Sequence, residues 1–354
     1  MKNKKSISFY ILISFLFCLI YILCAIHPLG TEYHFKPEWK IDVTNPSVSS
    51  DVPEDVARLP FKLGQTLGYF TPDGKVTNFV TFPLKASVSS SFYTCYSTNN
   101  TEAKYYTPDG ELAGTVSIPG FPMIDDDRIF VFLPGGSSFI ACDGEGKKNW
   151  EYGGTVPITA FDSSKEGVVI GFADGNICEF NRSGHLLQRF APGGSDLPVI
   201  LGAAVSSNGE YIATVSGQNK QRFVLAKKDG AQTKITAHQF LDSTETTQKL
   251  VKFSADDSTV YFSSQNDLGI ADVKSGKIAH LKIDGHAISM QETSNTVFIL
   301  TKKDSEYRVY AVEKFAVLTG SFSFKAQYAF ILTHDERLYV GKDSTISCIS
   351  ISKK

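Results

Sequence analysis

The stretch GVVIGFADGNICEFNRSGHLLQRF, residues 167–190, decides the fold. It contains three short runs that are rich in β-branched and apolar residues, separated by turns at Ala173–Gly175 and Ser183-Gly184. Tight hairpin turns need a positive φ, which Gly adopts without steric cost. The stretch therefore predicts three successive antiparallel strands.

The same arrangement recurs along the chain. A β-prone run breaks six times at a Gly-containing turn and then resumes. Measured between Gly74, Gly110, Gly144, Gly184, Gly230 and Gly276, the gaps are 36, 34, 40, 46 and 46 residues. A repeat of about 40 residues with strands on both sides of each turn is typical of β-propeller blades. The chain is therefore predicted to be all-β.

Two kinds of blade motif carry a resemblance to known propeller families. Residues 204–214 and 251–262 both have a strand, a Ser-rich turn and a strand, and resemble the inner hairpins of WD40-type blades. The unit from Asp143 to Trp150 resembles the PQQ-like repeat, whose outer hairpin ends in Trp. The resemblance extends from about residue 60 to the end of the chain and implies a β-propeller.

About 295 residues at about 40–42 per blade predict seven blades, with eight as the alternative. The last unit, which ends in residues 346–350, stops before its outer strand. We expect an N-terminal strand, at Leu67–Phe70 or Val76–Phe82, to complete it, because closure hides two sheet edges that would otherwise be exposed.

The N-terminus is predicted to form one transmembrane helix. Three lysines within Met1–Lys5 precede Ile7–Ile26, which has no charged residue and is long enough to cross the roughly 30 Å hydrocarbon core of a bilayer. The lysines predict that the N-terminus stays in the cytoplasm. An uncleaved anchor, lipidation at Cys24 and plain signal cleavage all remain open, and each of them exports the rest of the chain.

These observations divide the chain into a membrane anchor (1–27), a linker (28–60) and a propeller (61–354). The linker has five prolines and a Ser-rich segment, which predict an extended, irregular tether. Trp39 is unusual in such a tether, so docking of the segment Glu38–Ile41 on the propeller is the alternative.

Composition and motifs exclude several functions. Lys and Arg number 35 against 37 Asp and Glu, without a long basic run, which disfavours nucleic acid as a partner. The sequence has no G-x-S-x-G, H-E-x-x-H, P-loop or CxxC motif. We therefore predict no enzymatic activity, catalytic residue, metal or cofactor. A quinone- or metal-dependent propeller enzyme and a ligand-sensing propeller are the alternatives.

The long connections between blades are the predicted contact regions. They are Ala191–Pro198 and Thr236–Thr247, and the candidate partner-contact residues in them are Asp196, Leu197, His238, Phe240 and Leu241. Together with the export prediction, the layout resembles propeller lipoproteins of outer-membrane assembly. This resemblance implies an interaction scaffold on the periplasmic side of the inner membrane, with envelope proteins such as a barrel-assembly component as partners.

Overall fold

Antiparallel strands dominate the molecule. The computed structural model describes residues 12–21, 33–97, 101–230, 232–313 and 315–353, with one helix, α1, over 12–21. The strands are β1 (Tyr33–Asp42), β2 (Leu59–Leu63), β3 (Thr66–Phe70), β4 (Val76–Thr81), β5 (Lys85–Val88), β6 (Tyr93–Tyr96), β7 (Ala103–Tyr106), β8 (Leu112–Val116), β9 (Phe121–Asp125), β10 (Arg128–Phe132), β11 (Phe139–Cys142), β12 (Lys148–Tyr152), β13 (Ile158–Ser163), β14 (Gly167–Phe172), β15 (Ile177–Asn181), β16 (Leu186–Phe190), β17 (Ile200–Val205), β18 (Tyr211–Ser216), β19 (Gln221–Asp229), β20 (Gln232–Leu241), β21 (Val251–Phe253), β22 (Thr259–Ser264), β23 (Asp267–Asp272), β24 (Ile278–Lys282), β25 (His286–Glu292), β26 (Thr296–Lys303), β27 (Glu306–Glu313), β28 (Val317–Lys325), β29 (Ala329–His334), β30 (Arg337–Lys342) and β31 (Thr345–Lys353).

These strands form eight sheets, each of which is one blade of a propeller. Blade 1 has the order β2-β3-β4, and blades 2 to 7 each take the next four strands in sequence, from β5-β6-β7-β8 to β25-β26-β27-β28. Blade 8 has the order β29-β30-β31-β1. The six turns that the repeat pattern identified join the last two strands of blades 1 to 6.

The blade number corrects the prediction of seven blades. Gly146, rather than Gly144, has the positive φ in the third turn, so equivalent glycines at 74, 110, 146 and 184 are 36, 36 and 38 residues apart. Blades 2 and 3 span only 32 residues each, from Lys85 to Val116 and from Phe121 to Tyr152. These early blades are shorter than the roughly 40 residues that were assumed for each blade, and an eighth blade therefore fits.

Strand β1 closes the ring. It pairs antiparallel with β31, from Tyr33 opposite Lys353 to Asp42 opposite Thr345. Closure by an N-terminal strand is thus confirmed, but the strand comes from the predicted linker, whereas residues 67–70 and 76–81 are strands of blade 1. The prediction of an irregular tether is wrong for residues 33–42. Three-stranded blade 1 gains an isolated parallel bridge between Val48 and Val76 instead of a regular fourth strand.

The prediction of an N-terminal transmembrane helix is also wrong. Of the predicted anchor, the structure describes residues 12–21, which are helical. Among the described residues, no helix is both long enough and apolar enough to span a membrane. The remainder of the predicted anchor, including Cys24, lies outside the described residues.

The hydrophobic core consists of layers between neighbouring blades. Phe223 and Phe262, both fully buried, stack between blades 5 and 6 with their ring centroids 3.8 Å apart. On blade 4, Glu179 is buried with Gln188 as a hydrogen-bond donor, and Lys228 of blade 5 donates to the other carboxylate oxygen at 2.8 Å. Each blade thus covers the apolar face of the next, with a satisfied polar network between blades 4 and 5.

Two tryptophans, Trp150 and Trp39, each link a pair of neighbouring blades. Trp150 of blade 3 donates its indole N–H to the carbonyl of Arg182 in blade 4 at 2.9 Å, and its ring packs over Gly184. A Cβ at Gly184 would lie 2.6 Å from the ring, and φ there is +79°, so only Gly fits. Trp39 of blade 8 docks likewise, with the Pro72 carbonyl of blade 1 as its acceptor at 3.3 Å. The alternative that Trp39 docks on the propeller is confirmed.

Other donors replace Trp at the junctions between these two. Asn78 of blade 1 donates to the Pro108 carbonyl at 3.1 Å, and the Tyr105 hydroxyl of blade 2 donates to the Gly144 carbonyl at 2.7 Å. In all four junctions the acceptor is the second residue of the turn before the last strand of the next blade. This shared contact holds blades 8, 1, 2, 3 and 4 in a common register.

Two substitutions of Trp150 measure separately how much its hydrogen bond and the packing of its ring contribute to stability. Trp150→Phe should lower the free energy of unfolding by about 1 kcal/mol, because one hydrogen bond is lost. Trp150→Ala should lower it by about 3 kcal/mol, since the half-buried ring is lost as well. Urea unfolding followed by circular dichroism measures both values, and equal losses would contradict the packing role of the ring.

Truncation tests closure by β1. Removal of residues 1–42 should cause aggregation and loss of the cooperative thermal transition, because the edge of β31 and the Trp39 contacts become exposed. Removal of residues 1–32 is the matched control and should leave the transition in place. Size-exclusion chromatography with thermal circular dichroism gives the readout, and a monomer with an unchanged melting temperature after removal of 1–42 would refute closure by β1.

Candidate interaction surface on blades 4 to 6

The connection from blade 4 to blade 5 is held in a defined conformation. Backbone amides of Gly217 and Gln218, in the turn between β18 and β19, donate to the carbonyls of Val199 and Leu197 at 2.8 and 3.1 Å. In an antiparallel blade, the connection to the next blade lies at the same end as the turn between the second and third strands. The blade 5 turn therefore holds this connection through its backbone, while the Leu197 side chain stays exposed.

Arg222 joins this connection to the outer strand of blade 5. Its Nη1 donates to the Pro192 carbonyl at 2.9 Å, and its guanidinium carbon lies 5.6 Å from the centre of the Phe240 ring. Gly194 packs against both side chains. A Cβ at this position would lie only 2.7 Å from Arg222 Cδ and would clash with it. A cation–π contact and a hydrogen bond thus fix the exposed Phe240 ring beside the connection.

The structure brings four of the five predicted contact residues to one surface. Phe240 and Leu197 are 56% and 48% exposed, and Asp196 and His238 are also exposed. Leu241 is different, because it is buried at 8% exposure in the core between blades 5 and 6. Much of the predicted loop Thr236–Thr247 is strand β20, in which alternate side chains point to opposite faces.

We call the exposed region formed by residues 191–198, Arg222, His238 and Phe240 the blade 4–5 surface. The rings of His238 and Phe240 lie 6.5 Å apart, edge to face. Aromatic and Arg side chains that are held in place by their neighbours are the groups that dominate protein–protein binding energy. This surface is therefore suited to contact another protein.

A polar cleft lies on the opposite side of β20, between blades 5 and 6. Asp267 of β23 contacts His280 of β24, with 2.5 Å between Oδ2 and Nδ1, and the His280 Nε2 atom is 2.9 Å from Gln239 Oε1 of β20. Sequence reasoning missed these residues, because His280 and Asp267 are thirteen positions apart and only the pairing of β23 with β24 brings them together.

The inner strands carry one strongly perturbed carboxyl group. Burial raises the pKa of Asp162 on β13 to about 6, and the nearby Asp125 adds to the increase, although the Val205 amide donates to Asp162 at 2.9 Å. Burial likewise raises the pKa of the Cys142 and Cys348 thiols to about 11, so both are protonated at neutral pH. The described residues contain no cluster of three or more His, Cys, Asp or Glu that could hold a metal ion.

A ring of eight blades closed by its own N-terminal strand defines the β-propeller class. The chain belongs to the family described as beta-propeller protein, whose family model matches residues 1–354.

Comparisons with individual proteins agree with this class. An uncharacterized protein of Treponema pallidum (strain Nichols) is 29% identical over 363 residues, which cover 99% of this chain and 96% of the relative. The crystal structure of BamB from Moraxella catarrhalis matches with a TM-score of 0.61 at 15% identity, covering 90% of this chain and all of that one. A chain of a mitotic checkpoint complex matches with a TM-score of 0.51 at 10% identity, covering 92% and 94%. Both structural likenesses show the fold alone.

The raised pKa of Asp162 predicts a pH-dependent stability. Because the native pKa of about 6 exceeds the usual value near 4, the native state binds more protons than the unfolded state between these values, and stability falls as pH rises from 4 to 6. Asp162→Asn removes this loss and still accepts the Val205 hydrogen bond. We expect the variant's advantage to grow by about 1–3 kcal/mol between pH 4 and pH 7.

Urea unfolding at pH 4, 5, 6 and 7 measures this difference for the natural chain and the variant. An advantage that stays constant over the whole range would show that Asp162 does not titrate there.

Proposed function

We propose that this protein is an exported interaction scaffold at the cell envelope, and that the blade 4–5 surface binds its partner. The observation that carries the proposal is the exposed Phe240 ring, fixed against Arg222 and beside the exposed Leu197. Large apolar side chains in a fixed position gain binding energy at a small entropic cost. The proposal includes no catalytic step.

The envelope location is supported by two observations. The three N-terminal lysines followed by the uncharged stretch Ile7–Ile26 are typical of an export sequence. The second is the layout of the sequence, an export segment followed by a propeller, which resembles propeller lipoproteins of outer-membrane assembly and leads us to infer an envelope protein, such as a barrel-assembly component, as the partner.

A crosslinking pull-down from native membranes tests this function. The double variant Phe240→Ala/Leu197→Ala should reduce the recovery of the specific partner at least about tenfold, because central apolar anchors contribute roughly 2 kcal/mol or more. Leu112→Ala on blade 2 is the matched control, since Leu112 is an equally exposed side chain (57%) on another blade. It should leave the recovery unchanged.

Mass spectrometry of the captured proteins decides both parts of the proposal. Envelope proteins lost only from the double variant would support it. Equal recovery with the double variant would refute the role of the blade 4–5 surface, and specific capture of cytoplasmic proteins alone would refute the envelope location.

A further inference from the structure

The cleft between blades 5 and 6 has the size and chemistry of a side-chain pocket. Its volume is about 580 Å³, and it is formed by the end of β20, the turn between β22 and β23, and β24. Besides Asp267, His280 and Gln239, it is lined by Asp242, Gln265 and Asn266. The cleft therefore offers carboxylate and side-chain amide groups to a ligand, with His280 and Lys282 as its basic side chains.

One carboxylate oxygen of Asp267 in this cleft accepts no hydrogen bond. The residue is only 7% exposed, and its buried Oδ1 atom accepts no hydrogen bond. A buried carboxylate oxygen without a donor is costly, so native proteins keep few of them. An incoming donor that displaced the exposed Lys282 side chain and reached Oδ1 would recover this cost, so the cleft favours a hydrogen-bond donor with positive charge.

The neighbouring side chains hold Asp267 but do not satisfy it. His280 contacts the other oxygen, Oδ2, and is itself in contact with Gln239, so the carboxylate is fixed in orientation. The Lys282 ammonium lies 3.6 Å from Oδ1, but its side chain is 89% exposed. An ion pair of this kind is screened by water and contributes little, so a better-placed cation can displace the lysine.

We propose that this cleft binds an arginine side chain of the partner protein, with Asp267 Oδ1 as its principal acceptor. The inference rests on the proposed function and specifies the chemistry of the partner. The planar guanidinium presents several N–H donors in a fixed fork, which suits one carboxylate oxygen flanked by amide oxygens. Phe240 also borders the cleft, so one partner segment can contact the blade 4–5 surface and insert the arginine.

Binding of a small probe tests the cleft directly. N-acetyl-arginine amide should bind the full chain in an NMR titration and shift resonances of the cleft, while N-acetyl-citrulline amide, its neutral isostere, should not. Asp267→Asn should weaken binding at least about tenfold, as expected for loss of a charged hydrogen bond. Asp229→Asn is the matched control, because Asp229 is exposed at the end of β19, opposite the start of β20 and away from the cleft, and it should bind normally.

Lys282→Ala provides a second test that does not depend on a buried position. Removal of the competing ammonium should strengthen binding of the arginine probe about two- to fivefold. Equal binding of the arginine and citrulline probes, full binding by Asp267→Asn, or weaker binding by Lys282→Ala would each overturn the inference.

The two proposals fail separately. Discrimination between the probes with no partner in the pull-down would refute the scaffold function and support the cleft as a cation site. Partner capture without discrimination between the probes would refute only the arginine pocket.

Discussion

Nine residue pairs between β1 and β31 join the two ends of the described propeller, and the position of every blade depends on them. Without this pairing, β31 would present an open edge and blade 8 would lack its outer strand. The same strand carries Trp39, which contacts the turn of blade 1 through Pro72, so closure also sets the junction between the last and first blades. Backbone pairing and side-chain docking at this point therefore act together.

The junctions around the ring use two kinds of chemistry. From blade 8 to blade 4, a side-chain donor meets a turn carbonyl, with Trp, Asn or Tyr as the donor. Between blades 4 and 5, the buried carboxylate of Glu179 instead accepts hydrogen bonds from Gln188 and Lys228. The change in junction coincides with the region where the connections lengthen and the exposed aromatic group appears. The repeated donor-to-carbonyl contact of blades 8 to 4 thus ends where the blade 4–5 surface begins.

Within that region, strand β20 separates two surfaces by simple alternation. Phe240 and His238 face the connection from blade 4, whereas Gln239 faces the cleft toward blade 6 and Leu241 enters the core. Neighbouring positions on one strand thus contribute to an apolar anchor, a polar cleft and a hydrophobic layer. A partner that follows this strand would meet the first two in succession.

The amino-acid sequence by itself determined the all-β propeller class and the turns of six blades, because local turn chemistry and strand propensity are written in neighbouring residues. It also placed Phe240 and Leu197 among the candidate contact residues, and both are exposed in the structure. It could not determine the blade number, the closing strand or the absence of a spanning helix among the described residues. Tertiary structure alone decided that β1 pairs with β31, that Leu241 is buried and that Asp267 meets His280, since these depend on contacts between residues far apart in the chain or on which face of a strand is covered.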